Sequence, residues 1–147
     1  MTIKLQFSDE RTIGQGLVRW WTGHWATHVD AVLPDGRLLG ARPFSGVQIR
    51  EPDYHDFSRK EIVTISASAE AEEAFYSYLR DQVGKGYDYG TVLNFVIPSI
   101  KQRNDRWACA ELIAFGLTYA SSVFPATIES SEYSPRDLYL LCKLHRI

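Results

Sequence analysis

A chain of 147 residues with 45% apolar side chains has the size of one ordinary domain and can bury a core without disulfides or a structural metal. Its formal net charge of -2 leaves no surplus of Lys and Arg for a phosphate backbone, which excludes nucleic acid as the expected partner. The longest apolar stretches, such as Val92 to Ile97 interrupted by Asn94, fall far short of the ~20 residues a bilayer span needs, so no membrane span is expected.

The opening MTIKLQFSDERTIGQG has no basic stretch followed by an apolar core and a small-residue cleavage site, so the chain reads as cytosolic at synthesis. Residues 3–7 (IKLQF) alternate as a short strand, and Ser8-Asp9-Glu10 offers capping chemistry for a helix through Leu17, Val18 and Trp21. THVDAVL, the turn formers Pro34-Asp35-Gly36 and RLLGAR together spell a β-hairpin. GVQIR (46–50) and EIVTIS (61–66) add two strands around the charged loop EPDYHDFSR. Ser68 caps a helix to Val83 with Ala71, Phe75, Tyr78 and Leu79 at helical spacing, and Gly84 stops it. After GKGYDYG an apolar piece runs to Ile97, Pro98-Ser99 breaks it, and Asn104-Asp105 introduces a helix from Arg106 to about Ala120. The final LYLLCKLHRI alternates imperfectly and reads as a last strand after a Ser134-Pro135 turn. The expected fold is α+β: an antiparallel sheet from the first half, packed against helices from the second, in a single domain spanning 1–147.

Two cysteines, Cys109 and Cys142, are too few for a disulfide framework or a zinc ribbon, so each reads as a free thiol. A cysteine in the first turn of a helix lies at the positive end of the dipole beside unpaired backbone N–H groups, which favour a thiolate and can hold the oxyanion of an attacked carbonyl. The same helix also places Cys109, Leu112, Ile113, Gly116 and Ala120 on one face, where a cysteine is simply a small core residue. A nucleophilic thiolate needs a base, and of His24, His28, His55 and His145 the best placed is His28, mounted on a strand whose alternation puts His28 and Asp30 on one face. His24 and His28 form an HxxxH pair, but Gly23 and the β-rich sequence after His28 argue against a shared helix, and no neighbouring carboxylate or thiol completes a metal site. Arg42 and Arg50 read as solvated strand-edge charges rather than site residues, and Trp20, Trp21 and Trp25 as core aromatics or the lining of a cleft.

In their order along the chain, these segments resemble the NlpC-type cysteine peptidases of the papain-like superfamily, in the circularly permuted branch where the histidine half precedes the cysteine half. THVDAVLPDGRLLGAR is similar to that family's histidine strand, turn and following strand. RWACAELIAFGL resembles its nucleophile helix, with Cys109-Ala110-Glu111-Leu112 in the permuted form; GKGYDYG resembles its Gly-x-x-Tyr-x-x-Gly segment, and Ser134 to Leu138 its Thr-Pro-x-Asp-Leu signal. The resemblance implies a papain-like fold, with Cys109 as nucleophile, His28 as base, Tyr87 beside the nucleophile, and no metal or organic cofactor. It further implies amide hydrolysis in a cell-wall (murein) peptide or another small amide, with lipid ester or thioester chemistry, as in the lecithin-retinol-acyltransferase-like members, as the alternative. A murein substrate would call for phage-type release, a secretion apparatus or a partner. The pattern departs at the third, orienting residue, which the family carries on the strand after the histidine strand; here that position falls near Gly40 or Ala41. A backbone carbonyl, a water, or a carboxylate such as Asp30 or Glu51 must then hold the imidazole. That gap also leaves room for a binding or assembly module that keeps the scaffold without the catalysis.

Overall fold

Five stretches of alternating sequence pair into one antiparallel sheet: β1 (Thr2–Asp9), β2 (His28–Val32), β3 (Leu38–Arg42), β4 (Gly46–Arg50) and β5 (Arg59–Ser66), in the spatial order β4-β3-β2-β1-β5. The computed structural model describes residues 1–9, 23–42, 45–87, 106–107, 109–119 and 134–145. Three helices accompany the sheet among these residues, α1 (Ala69–Asp81), α2 (Cys109–Tyr119) and α3 (Pro135–His145), together with a parallel pair of short strands, β6 (Gly86–Tyr87) and β7 (Arg106–Trp107). The architecture is α+β, strands first and helices mostly after. No helix among the described residues is long and apolar enough to cross a membrane.

The β2–β3 hairpin closes as its sequence demands. Leu33 N–H donates to Arg37 O at 2.8 Å, the Asp35 carboxylate accepts from Arg37 N–H, and Gly36 sits at φ 89, a conformation glycine adopts without steric cost. Along β1, Ile3, Leu5 and Phe7 point one way, and Leu5 and Phe7 pair across with Ala31 and Val29 of β2. They join Phe75, Leu112 and Leu138 from the three helices in one apolar cluster, and removing that surface from water is the main force holding sheet and helices together. The alternate positions carry a different text: Gln6, Ser8, His28 and Asp30 are polar and buried. Buried polar side chains are the informative exception in a core, and these four define the sheet face that carries the candidate site.

Helix α1 starts at Ser68, whose side chain accepts from Ala71 N–H at 3.1 Å, with Glu70 and Glu72 in its first turn and Arg80 in its last, matching the helix dipole. Its Tyr76 hydroxyl accepts from Lys4 N–H and donates to Val32 O, tying the helix to β1 and β2. Gly116 of α2 faces Phe75 so closely that a Cβ there would fall 3.0 Å from the ring, which lets α1 and α2 pack side by side.

Two elements differ from the sequence expectation. The C-terminal LYLLCKLH is helical, because Ser134-Pro135-Arg136-Asp137 is a helix start: Ser134 Oγ accepts from Asp137 N–H, and the Asp137 carboxylate accepts from Ser134 N–H, with Pro135 in the first helical position. Leu138 and Cys142 are buried one turn apart while Leu140 and Leu144 are exposed, a 3.6-residue period that reads as imperfect alternation in a short window. Helix α2 begins at Cys109 rather than Arg106, since Arg106 and Trp107 are taken up by β-pairing with Gly86 and Tyr87. The expected helix through Leu17, Val18 and Trp21, the apolar piece to Ile97 and the Asn104-Asp105 cap lie outside the described residues.

Candidate active site

Cys109 is the first residue of α2 and is buried. Its backbone N–H and those of the next residues belong to the first turn, which has no intrahelical acceptor for them. The strand before it is held by a relay of backbone contacts. Gly46 of β4 approaches Lys85 so closely that a Cβ would fall 2.1 Å from the Lys85 carbonyl oxygen, Val47 N–H donates to that oxygen at 2.8 Å, and Tyr87 then pairs with Trp107, two positions ahead of Cys109. The sheet edge thus fixes where α2 begins.

His28 opens β2 with its ring buried, close enough to Cys109 for the thiol to act on the charge of the imidazole. Its Nε2 lies 3.0 Å from Asp30 Oδ1, two residues along the same strand. With Nε2 committed to the carboxylate, the ring nitrogen left for the thiol is Nδ1. Burial alone drives this imidazole toward neutrality, but the charge and hydrogen bonds of Asp30 and Cys109 outweigh it and hold the His28 pKa well above its ordinary 6.5. Asp30 shows the mirror image: burial favours the protonated acid, yet His28, the Tyr54 hydroxyl and the Arg42 guanidinium overcome it and keep the pKa below the ordinary 3.8.

The position opposite Asp30 on β3 is Gly40, and a Cβ there would fall 1.9 Å from Asp30 Oδ1. The bare strand position is therefore not a hole in the site but the space the Asp30 carboxylate fills. Its second oxygen accepts from the Tyr54 hydroxyl at 2.7 Å; that hydroxyl accepts from Arg42 Nη1 at 2.7 Å and lies 3.4 Å from His28 Nε2. Tyr54 comes from the β4–β5 loop, where its N–H closes a turn onto Glu51 O and its ring meets Phe57 edge-on. The guanidiniums of Arg42 and Arg50 lie 4.7 and 5.5 Å from the ring centroid.

Of the residues singled out by sequence, the structure brings Cys109 and His28 together. It puts the Tyr87 backbone beside the strand that leads into Cys109. Arg42 and Arg50, read as solvated edge charges, instead enclose Tyr54, because the loop folds back over β3 and β4. Glu51 contributes its carbonyl to the loop turn. His24 is not on a helix with His28: its Nδ1 accepts from Ala26 N–H and its ring packs on Tyr139. Among the described residues no group of three His, Cys, Asp or Glu side chains is placed to hold a metal. Trp25 packs edge-on against Tyr139 with Arg59 over its ring, while Trp20 and Trp21 lie outside the described residues. Tyr54 is the site residue the sequence reading missed; the only signal was a tyrosine in a polar turn, which becomes meaningful once β3 and β4 are paired.

A scan against protein-family models gives no match to this chain, and a search of curated proteins gives none either. The geometry sets a thiol at a helix start, an imidazole beside it and a buried carboxylate behind the imidazole, residue types and an order compatible with a nucleophile, a base and an orienting group.

Proposed function

We propose that the chain is a cysteine-dependent hydrolase that cleaves an amide bond on a papain-like scaffold of the permuted NlpC type, with a cell-wall peptide or related small amide as substrate. The observation that carries this reading is the buried imidazole of His28, held at Nε2 by the buried Asp30 carboxylate and close enough to Cys109 for the thiol to act on its charge. His28 Nδ1 takes the thiol proton, the Cys109 sulfur adds to the carbonyl carbon, and the N–H groups at the start of α2 hold the resulting oxyanion. As the tetrahedral centre collapses, the C–N bond breaks and His28 returns the proton to the leaving amine, giving a thioester. Water, deprotonated by His28, then adds to the thioester and releases the acid and the thiol. Asp30 holds the ring and offsets its positive charge without itself taking a proton. The alternative is a non-catalytic module, favoured by the missing side chain at Gly40 and by the aromatic group Trp20, Trp21 and Trp25; the Asp30 carboxylate that fills the space beside Gly40 speaks against it.

The test is alkylation of Cys109 by iodoacetamide as a function of pH, in Cys142→Ser and in Cys142→Ser with His28→Ala. Rapid labelling near neutral pH that slows at least about tenfold without the imidazole is expected of an activated thiol. Equally slow labelling in both proteins would make Cys109 a core cysteine and sink the hydrolase.

A further inference from the structure

A carboxylate can orient an imidazole only if it is itself held, and Asp30 has a choice to make. The Tyr54 hydroxyl is within reach of both Asp30 Oδ2, at 2.7 Å, and His28 Nε2, at 3.4 Å, and it owns a single proton. If its oxygen served as acceptor for the Nε2 proton, Asp30 would lose its claim on the ring. Arg42 removes that freedom. Its Nη1 donates to the Tyr54 oxygen at 2.7 Å, and a guanidinium has no acceptor to offer in return. With that lone pair occupied by a permanent cation, the hydroxyl proton turns to Asp30.

We infer that Tyr54 and Arg42 are a positioning pair for the catalytic dyad, in which Arg42 sets the direction of the Tyr54 hydroxyl and Tyr54 fixes Asp30 so that it accepts from His28 Nε2 and leaves Nδ1 to Cys109. The inference rests on the hydrolase reading and deepens it. Donation then runs from Arg42 through Tyr54 on one side and from His28 on the other, both ending on Asp30, and the orienting group missing from position 40 is replaced by three residues from β2, β3 and the β4–β5 loop. Gly40, opposite Asp30, must lack a side chain for the carboxylate to keep this place. Arg50 from β4, which donates to Gly40 O at 3.0 Å and lies over the Tyr54 ring, also supports the loop.

The decisive variant is Tyr54→Phe in the Cys142→Ser background, which removes the hydroxyl but keeps the ring against Arg42, Arg50 and Phe57. Two readouts are taken: the pH profile of Cys109 alkylation, and the titration of the His28 ring by nitrogen-15 NMR. Loss of the hydroxyl is expected to slow alkylation by about tenfold, in the range that removal of an outer hydrogen-bond partner gives elsewhere, and to move the His28 titration to lower pH with the thermal midpoint little changed. Arg42→Met should repeat both changes, and Arg42→Lys, which keeps a cationic donor, should restore most of each. A Tyr54→Phe protein with wild-type alkylation and an unmoved His28 titration overturns the inference, and if that variant does not fold, the Arg42→Met and Arg42→Lys pair decides in its place. Should Cys109 itself prove slow and indifferent to His28→Ala, the hydrolase falls, while the His28 titration in Tyr54→Phe still decides whether the pair positions Asp30.

Discussion

The two cysteines are of one kind and nearly one burial, yet the fold gives them opposite company. Both are free thiols on helices, and both belong to the apolar cluster. Cys142 lies within α3 one turn after Leu138, and burial pushes its thiol up to about 12; at neutral pH only about one molecule in 10⁵ carries the thiolate that reacts. Cys109 stands at the first position of α2 and meets an imidazole backed by a carboxylate. What separates a packing cysteine from a candidate nucleophile here is the strand that the helix terminus faces.

The largest expected effect comes from erasing that difference. His28→Ala leaves the Asp30 carboxylate buried without its main partner, and breaking such a pair costs about 3–5 kcal/mol, toward the lower end because Tyr54 and Arg42 still face Asp30. Denaturant unfolding of the variant measures it; a loss under about 1 kcal/mol would mean the pair contributes little to the fold. The dependence on pH has a definite sign. The His28 pKa is raised on folding, so its contribution is complete below about 6.5 and fades as pH climbs through the folded value, while the Asp30 pKa is lowered, so its contribution is complete above about 3.8 and fades as pH falls through the folded value. The stability difference between wild type and His28→Ala should therefore be greatest between these two pH values and shrink on either side. A difference that grows steadily toward alkaline pH would contradict a raised histidine.

Next in size is Gly40→Ala. The added methyl would sit 1.9 Å from Asp30 Oδ1, so the carboxylate or the strand must shift, at about 1–3 kcal/mol for overpacking of a tight site. Cys109 alkylation should slow with it, because Asp30 leaves the ring. A double-mutant cycle sharpens the point: in an Asp30→Ala background the clashing atoms are gone, so Gly40→Ala should then cost much less. Equal costs in the two backgrounds would show that Gly40 is required by the backbone and not by Asp30.

Much of this was legible in the sequence, and the rest was hidden for physical reasons. The β2–β3 hairpin announced itself through Pro34-Asp35-Gly36 between two apolar runs, and the Ser68 cap marked α1, because both signals are local. His28 and Asp30 could be put on one face from a period of two. Their relation to Gly40 could not, since it depends on β2–β3 register, nor could that of Tyr54, which depends on how an eight-residue loop folds back over β3 and β4. The start of α2 was misplaced by three residues because β-pairing of Arg106 and Trp107 with Gly86 and Tyr87 is nonlocal. In α3 the signal was local and misread: Ser-Pro-Arg-Asp serves as well for a turn as for a capped helix, and only the buried Leu138 and Cys142 pair decides.

The smallest effect belongs to the helix that carries the other cysteine. Helix α3 is fastened to β5 through Glu61, whose carboxylate accepts from the Tyr139 hydroxyl at 2.9 Å and from the Lys143 ammonium; together they hold its pKa below the ordinary range, with Lys143 the larger influence. Tyr139→Phe removes one of these bonds but keeps the ring that packs edge-on against Phe7 and Trp25. The expected cost is about 0.5–1.5 kcal/mol, read from the denaturant midpoint, with Cys109 alkylation unchanged. Tyr54→Phe and Tyr139→Phe thus delete the same atom from two tyrosines that each donate to a carboxylate. Only the first carboxylate leads to His28, so a slowing of Cys109 in Tyr139→Phe as large as in Tyr54→Phe would mean that alkylation reports general loosening of the fold rather than the orientation of one imidazole.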